Sequence, residues 1–185
     1  LGLIFVGLVT ALAVDVGRDV LTCACLYRGI QRAPLEPASE RRTPLVHAVI
    51  VTAYAEPYDV LATTVKSLRS NTLVGRCVLV LGMEARDPHA EATFKRLKAQ
   101  YGRRFRDVLM TSHVLVPGEV AGKASNERHA CIQLYKYAQS AGLDPYSVMV
   151  TTCDADSQFD SVFLEQLESE FHATPDGRHT LFDSP

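Results

Sequence analysis

From residue 46 onward the chain alternates between two periodicities. Short apolar runs rich in Val, Ile and Leu, at 46–52, 77–81, 108–116 and 148–153, read as strands. Between them, apolar residues recur every three or four positions, as in a helix: Leu61, Val65 and Leu68; Phe94, Leu97, Tyr101 and Phe105; Cys131, Leu134, Tyr135 and Ala138; Phe163, Leu164, Leu167 and Phe171. Strands alternating with helices imply an α/β fold, a mostly parallel sheet with helices on both faces. Tyr101, Phe105 and Tyr135 are expected in the core, and 180–182 is expected to begin a further strand.

Parallel strands joined by right-handed crossovers put every strand-to-helix loop on one edge of the sheet. Three of those loops carry acids: Glu56 after Tyr54-Ala55, Glu84 with Asp87, and Asp154-Ala155-Asp156. The last loop follows an apolar run that reads as a buried strand, and open α/β sheets bind ligands at such carboxyl ends. Two hard oxygen ligands one residue apart suit a divalent cation, which in turn can hold a diphosphate. Alone, the same residues read equally well as an acidic turn, because Asp favours turns.

A third helix is expected to open at Gly122-Lys123-Ala124-Ser125-Asn126. Backbone amides at a helix start form an anion site, and Lys123 adds a positive charge to it. Asn126 offers both a hydrogen-bond donor and an acceptor, although Asn is also a common helix cap. A carboxylate at Glu56 or Glu84 suits ribose hydroxyls or a base N–H. Together these parts suit a nucleoside diphosphate with a metal. The six histidines show no ligand spacing and read as surface or packing residues.

Composition narrows the choices. With 47 % hydrophobic and 22 % charged residues in 185, the chain holds enough apolar mass for a folded domain. A net charge of −2 argues against nucleic acid as a partner, since phosphate backbones call for a basic surface. Five scattered cysteines with no CxxC pair read as thiols in a reducing compartment. Cys153 adjoins the acidic pair, but strand alternation should point it away from Asp154.

Residues 1–14 carry no charge. A helix over them would span roughly 21 Å, short of the roughly 30 Å hydrocarbon core of a bilayer. Residues 1–30 are therefore read as a partial transmembrane or membrane-surface helix. Arg28, Arg32, Arg41 and Arg42 come after it and favour a cytosolic location for the globular part. Residues 31–44, with Pro34, Pro37 and Pro44, read as a linker, and 45–185 as that globular part. The first residue is Leu and the chain ends Thr-Leu-Phe-Asp-Ser-Pro, so a piece of a longer protein is expected.

Three motifs, in order, resemble those of family 2 glycosyltransferases. His47-Ala-Val-Ile-Val-Thr-Ala-Tyr-Ala-Glu-Pro57 is similar to the family's opening strand and its Pro-x-Tyr-Asn-Glu loop. Gly122-Lys-Ala-Ser-Asn126 resembles the Gly-Lys-x-x-x-Asn helix start, one residue shorter, and Val148 to Asp156 resembles the strand and Asp-x-Asp motif. The resemblance covers about residues 45–172. It implies the GT-A fold, a Rossmann-like sheet binding a nucleotide-diphosphate sugar, a UDP-sugar in the first place. It further implies an inverting, metal-assisted transfer to a glycan or lipid acceptor at the cytosolic face of a membrane. By position, Tyr54 and Glu56 would lie near the base, Glu84 at the nucleoside and Lys123 at the diphosphate. Asn126 would belong to the same donor site. Asp154 and Asp156 would hold Mg²⁺ or Mn²⁺.

The chain departs from the family pattern in places. Thr52-Ala53 replaces an early Pro, Ala55 replaces Asn, and Gly82-Met-Glu-Ala-Arg-Asp87 replaces the usual acidic loop. The base-bearing motif and the Gln-x-x-Arg-Trp motif are missing, and the chain has no Trp. The catalytic base and the acceptor half are therefore expected beyond Pro185, leaving this piece inactive alone. Two alternatives remain: a haloacid-dehalogenase-type phosphatase using Asp-x-Asp, and a non-catalytic nucleotide-sugar-binding domain of a membrane protein.

Overall fold

Four strands, each followed by a helix, run in chain order: β1 (Val46–Ala53), α1 (Tyr58–Arg69), β2 (Cys77–Glu84), α2 (Ala90–Tyr101), β3 (Asp107–His113), α3 (Lys123–Ser140), β4 (Val148–Asp154) and α4 (Phe163–Ala173). The computed structural model describes residues 44–182. The expected membrane segment and nearly all of the expected linker lie outside these residues. Among the described residues no helix is long and apolar enough to cross a membrane.

The strands form one sheet in the order β3-β2-β1-β4, and every pairing is parallel. β1 is central. Val49 lies opposite Leu79 on one side and Thr151 on the other. Parallel neighbours cannot be joined by a hairpin, so each connection crosses the sheet with a helix.

Alternation along β1 and β2 divides the core into two layers. Val49, Val51, Leu79, Leu81 and Met83 meet Leu61, Val65 and Leu68 of α1, Leu97 of α2 and Leu164 of α4 on one face. Ala48, Ile50, Val78 and Val80 meet Ala130 and Leu134 of α3 on the other. Helices thus cover both faces, as expected. Each large aliphatic chain removed from water in these layers contributes about 1.5–3 kcal/mol.

Several expectations need correction. β4 is an edge strand, not a buried one: among the described residues it pairs with β1 alone, and Val150 is 47 % exposed. An apolar run of this length is the same in either position. β3 ends at His113 instead of 116. Its partner β2 ends at Glu84, opposite His113, so, among the described residues, 114–116 have no strand to pair with, and Val114 and Val116 are exposed. The buried face of α3 is Asn126, Ala130, Leu134 and Ala138, whereas Cys131 and Tyr135 face solvent. Phe105 is buried and Tyr101 packs against the core. Residues 180–182 form no strand.

At the amino ends of the strands a buried acid ties α4 to the sheet. Glu168 accepts from both terminal nitrogens of Arg76, at 3.2 and 2.6 Å, and from the Leu45 amide at 3.4 Å. His47, fully buried, lies 3.4 Å from the same carboxylate. Burial lowers the His47 pKa, more than Glu168 raises it. Burial also pushes the Glu168 carboxyl up, but hydrogen bonding and charge from Arg76 more than reverse this and its pKa falls. Both shifts act in the same direction on stability. A neutral His47 favours the fold above about pH 6.5, and that contribution is lost as pH falls toward its lower folded value. The contribution of ionised Glu168 is lost only below about pH 4.5. Thermal melts should therefore show stability falling between pH 7 and 5. His47→Gln, which keeps a donor for Glu168 but does not titrate, should flatten that part of the curve. An unchanged slope would show that His47 does not carry it.

Candidate functional site at the carboxyl edge of the sheet

The carboxyl ends of β1 and β4 diverge in their connections: β1 leads to β2 on one side, while β4 arrives on the other after a crossing by α3. This reversal of strand order is where open α/β sheets form a crevice. Thr52 of β1 lies opposite Asp154 of β4.

The Asp154-Ala155-Asp156 loop is held from below. Ala155 is buried, and its carbonyl accepts a 2.6 Å hydrogen bond from the Thr64 hydroxyl of α1, which is fully buried. The Ser157 amide closes a turn onto the Asp154 carbonyl at 3.2 Å. With the middle residue pinned inward, Asp154 and Asp156 on either side are exposed. Farther along, Asn71 donates to the Asp160 carbonyl at 2.9 Å and accepts from the Leu164 amide at 3.0 Å. The Ser67 hydroxyl accepts from the Phe159 amide at 3.1 Å.

Across the crevice α3 begins at Lys123, as expected from the sequence. The residue before it, Gly122, has φ 156°, a conformation that L side chains rarely adopt. The Lys123 ammonium lies 2.8 Å from Asp154 Oδ1 and 3.5 Å from Glu127 Oε1, one turn along the helix. Its hydrogen bond to Asp154 raises the Lys123 pKa above the ordinary value. Asn126 is buried; its amide nitrogen donates to the Gly82 carbonyl of β2 at 2.8 Å. It fastens α3 to the sheet. Among the described residues its Oδ1 has no hydrogen-bond partner, and it lies where a Cβ on Gly82 would approach to 3.4 Å.

On the other side of β1, two loops are locked together. Arg86 places its guanidinium 4.0 Å from the centre of the Tyr54 ring and pairs with the buried Glu84 carboxylate. Asp87 accepts from the Ala55 amide at 3.2 Å and from the His89 amide at 2.9 Å. Ala55 has φ 55°, the only non-glycine positive φ among the described residues. Its contact with Asp87 helps to hold that unfavourable conformation. Glu56 is exposed on the same loop.

The structure thus brings Lys123 and Asp154 into contact and joins Tyr54 to Glu84 through Arg86. Asp156 shares the Asp154 loop, and Asn126 serves the packing between α3 and β2. Among the described residues no group of three His, Cys, Asp or Glu side chains is arranged to hold a metal ion. Mg²⁺ is commonly bound through one or two carboxylates together with substrate phosphates and water. The pair Asp154 and Asp156, of which Asp154 already attracts the Lys123 ammonium, fits that mode. Cys153 turns inward, with Sγ 3.6 Å from the Ile50 carbonyl; burial pushes its thiol up to about 12, so it stays protonated at neutral pH.

Thr64, Arg86 and Asn71 do not stand out in the sequence as site residues. Thr64 sits between Leu61, Val65 and Leu68 on the apolar face of α1, and a hydroxyl there calls for a buried acceptor. Arg86 is the one cation in an acidic loop. Nothing local marks Asn71.

No family model matches the chain, and a comparison with curated proteins finds no match.

Thr64→Val would leave the Ala155 carbonyl buried without a donor. Denaturant unfolding should show a loss of about 1–3 kcal/mol, the usual cost of such a group. A stability equal to the parent would mean that the Thr64 bond does not hold the loop.

Proposed function

We propose that this chain is the donor-binding part of a GT-A glycosyltransferase resembling family 2, which binds a nucleotide-diphosphate sugar with a divalent cation. The observation that carries the reading is the 2.8 Å contact between Lys123 and Asp154. It sets a cation at a helix start beside an exposed carboxylate, at the switch point of a parallel sheet. A diphosphate bound there would meet the first amides of α3 and the Lys123 ammonium. Asp154 and Asp156 would hold Mg²⁺ or Mn²⁺. When bound, the ion would supply charge neutralisation for the departing diphosphate.

The remaining parts of the edge suit the nucleoside. Tyr54 offers an aromatic face, and Glu84 offers a carboxylate to base or ribose donors once Arg86 gives way or shares it. Uracil, with a single N–H between two carbonyls, is the base we favour. Transfer itself needs a carboxylate base to deprotonate the acceptor hydroxyl. We assign that base, and the binding of a glycan or lipid acceptor at a membrane, to segments other than the described residues. The phosphatase alternative is disfavoured by the position of Asp154. It lies at the end of the fourth strand, at the sheet edge, whereas that family carries its Asp-x-Asp on the first strand.

Calorimetric titration tests the reading. UDP should bind with Mn²⁺ present, and Asp154→Asn combined with Asp156→Asn should abolish metal-dependent binding while the melting temperature stays near that of the parent. Both side chains are exposed, and surface substitutions usually change stability by no more than about 0.5 kcal/mol. Undiminished binding by the double variant would reject the metal assignment.

A further inference from the structure

Between the end of β3 at His113 and the start of α3 at Lys123 the chain runs through residues 114–122. Glu119 is the only charged residue among them. Its carboxylate is drawn inward: Oε2 lies 3.1 Å from Nε2 of the buried His113 and accepts from the Val116 amide at 3.3 Å. The Glu119 amide donates to the Val116 carbonyl at 3.0 Å and closes a turn over Pro117 and Gly118, whose φ of 87° suits a glycine. The aliphatic side chains are the ones left in water. Val114, Leu115, Val116 and Val120 are exposed, Val120 by 83 %. The loop withdraws its one charge and presents its apolar chains, the reverse of what water favours. Apolar side chains scattered singly need no explanation, but four on one short loop mark an interaction surface.

The charges around this loop identify its partner. Over 103–136 the exposed charges are all positive: Arg103, Arg104, Arg106, Lys123, Arg128 and Lys136. The three acids of the same stretch are half-buried and paired, Asp107 with Lys98 at 3.9 Å, Glu119 with His113 and Glu127 with Lys123 at 3.5 Å. The exposed acids Glu56, Asp154 and Asp156 belong to the loops after β1 and β4, which lie beyond β2 from β3. The Val116 amide, His113 and Arg128 together hold the Glu119 pKa below its ordinary value, so its carboxylate stays ionised where it is. We propose that residues 114–121, with the cations on either side of them, form a docking surface for an anionic lipid bilayer. The aliphatic chains enter the boundary between headgroups and acyl chains, and the cations meet lipid phosphates and carboxylates. A second copy suits the loop less well, because a two-fold contact between identical surfaces would bring like charges together. Docking here sets the carboxyl edge of the sheet beside the bilayer. The inference stands on this loop and its charges and does not depend on the donor-site reading.

The chain has no Trp, so one introduced by substitution reports its own surroundings. Val120→Trp in the 185-residue chain places it on the loop, and Val116→Trp is a second reporter there. Tyr146→Trp places it just before β4, at the amino edge, where Tyr146 is 76 % exposed. All three positions are exposed, and thermal melts check that the variants fold as the parent does. Mixed phosphatidylcholine–phosphatidylserine vesicles should shift the emission of both loop variants to the blue, and brominated lipids should quench it. Tyr146→Trp should show neither change. The readout is local, so attachment of the chain to the vesicle through residues 1–30 does not by itself produce this pattern. Unchanged emission from both loop variants would overturn the inference, as would equal quenching at position 146. A blue shift that grows with protein concentration in the absence of vesicles would also overturn it, because a second copy would then cover the loop. Equal shifts on phosphatidylcholine alone would overturn the assignment to an anionic surface.

Discussion

Because β1 pairs in parallel with β2 on one side and β4 on the other, the chain must cross the sheet before each new strand. That requirement gives the helices their places. α1, α2 and α4 contribute to one apolar layer and α3 to the other. It also gathers the carboxyl ends of all four strands at one edge, where Thr52 meets Asp154 across β1 and β4. Candidate-site side chains separated by a hundred residues come together without any one loop being long. The amino edge carries a different chemistry: buried Glu168 and His47, with half-buried Arg76, tie α4 to the first two strands. The anchoring cluster and the candidate site thus lie at opposite ends of the sheet.

The two halves of the carboxyl edge are self-neutralised in different ways. Lys123 reaches across the crevice to Asp154, joining elements at either side of the switch point. Arg86 folds back on its own loop, satisfying Glu84 and lying over Tyr54. A ligand carrying both a diphosphate and a base would compete with each of these internal contacts at once. Thr64 and Asn71 stand behind this arrangement. Thr64 fixes the backbone of the Asp154 loop at Ala155, and Asn71 fixes the backbone farther along at Asp160 and Leu164.

Much of the fold was legible because hydrophobic periodicity reports local geometry. Four strands, four helices, parallel pairing and the start of α3 at Lys123 followed from it. What was not legible depended on neighbours. The run at 148–153 reads the same at an edge as in a sheet centre, and 114–116 looks like strand until β2 ends beside it. On α3, Cys131 and Tyr135 fit a helical stripe with Leu134 and Ala138 as well as Asn126 and Ala130 do. The polar Asn126 disguised the true face, because its burial is offset by the Gly82 carbonyl. In the site, the acidic pair and Lys123 were visible as residue types in order. Thr64, which pins Ala155 from 91 positions away, was not.

The central claim is that a metal–diphosphate site lies at the carboxyl edge around Asp154. Paramagnetic broadening of amide resonances by Mn²⁺ in the presence of UDP maps that site directly. The account predicts strong broadening at 154–157 and at the start of α3 around Lys123, with little at Leu45, Arg76 and Glu168 on the opposite edge. Broadening centred on that opposite edge, or absent from the Asp154 loop when UDP and Mn²⁺ are bound, would contradict it.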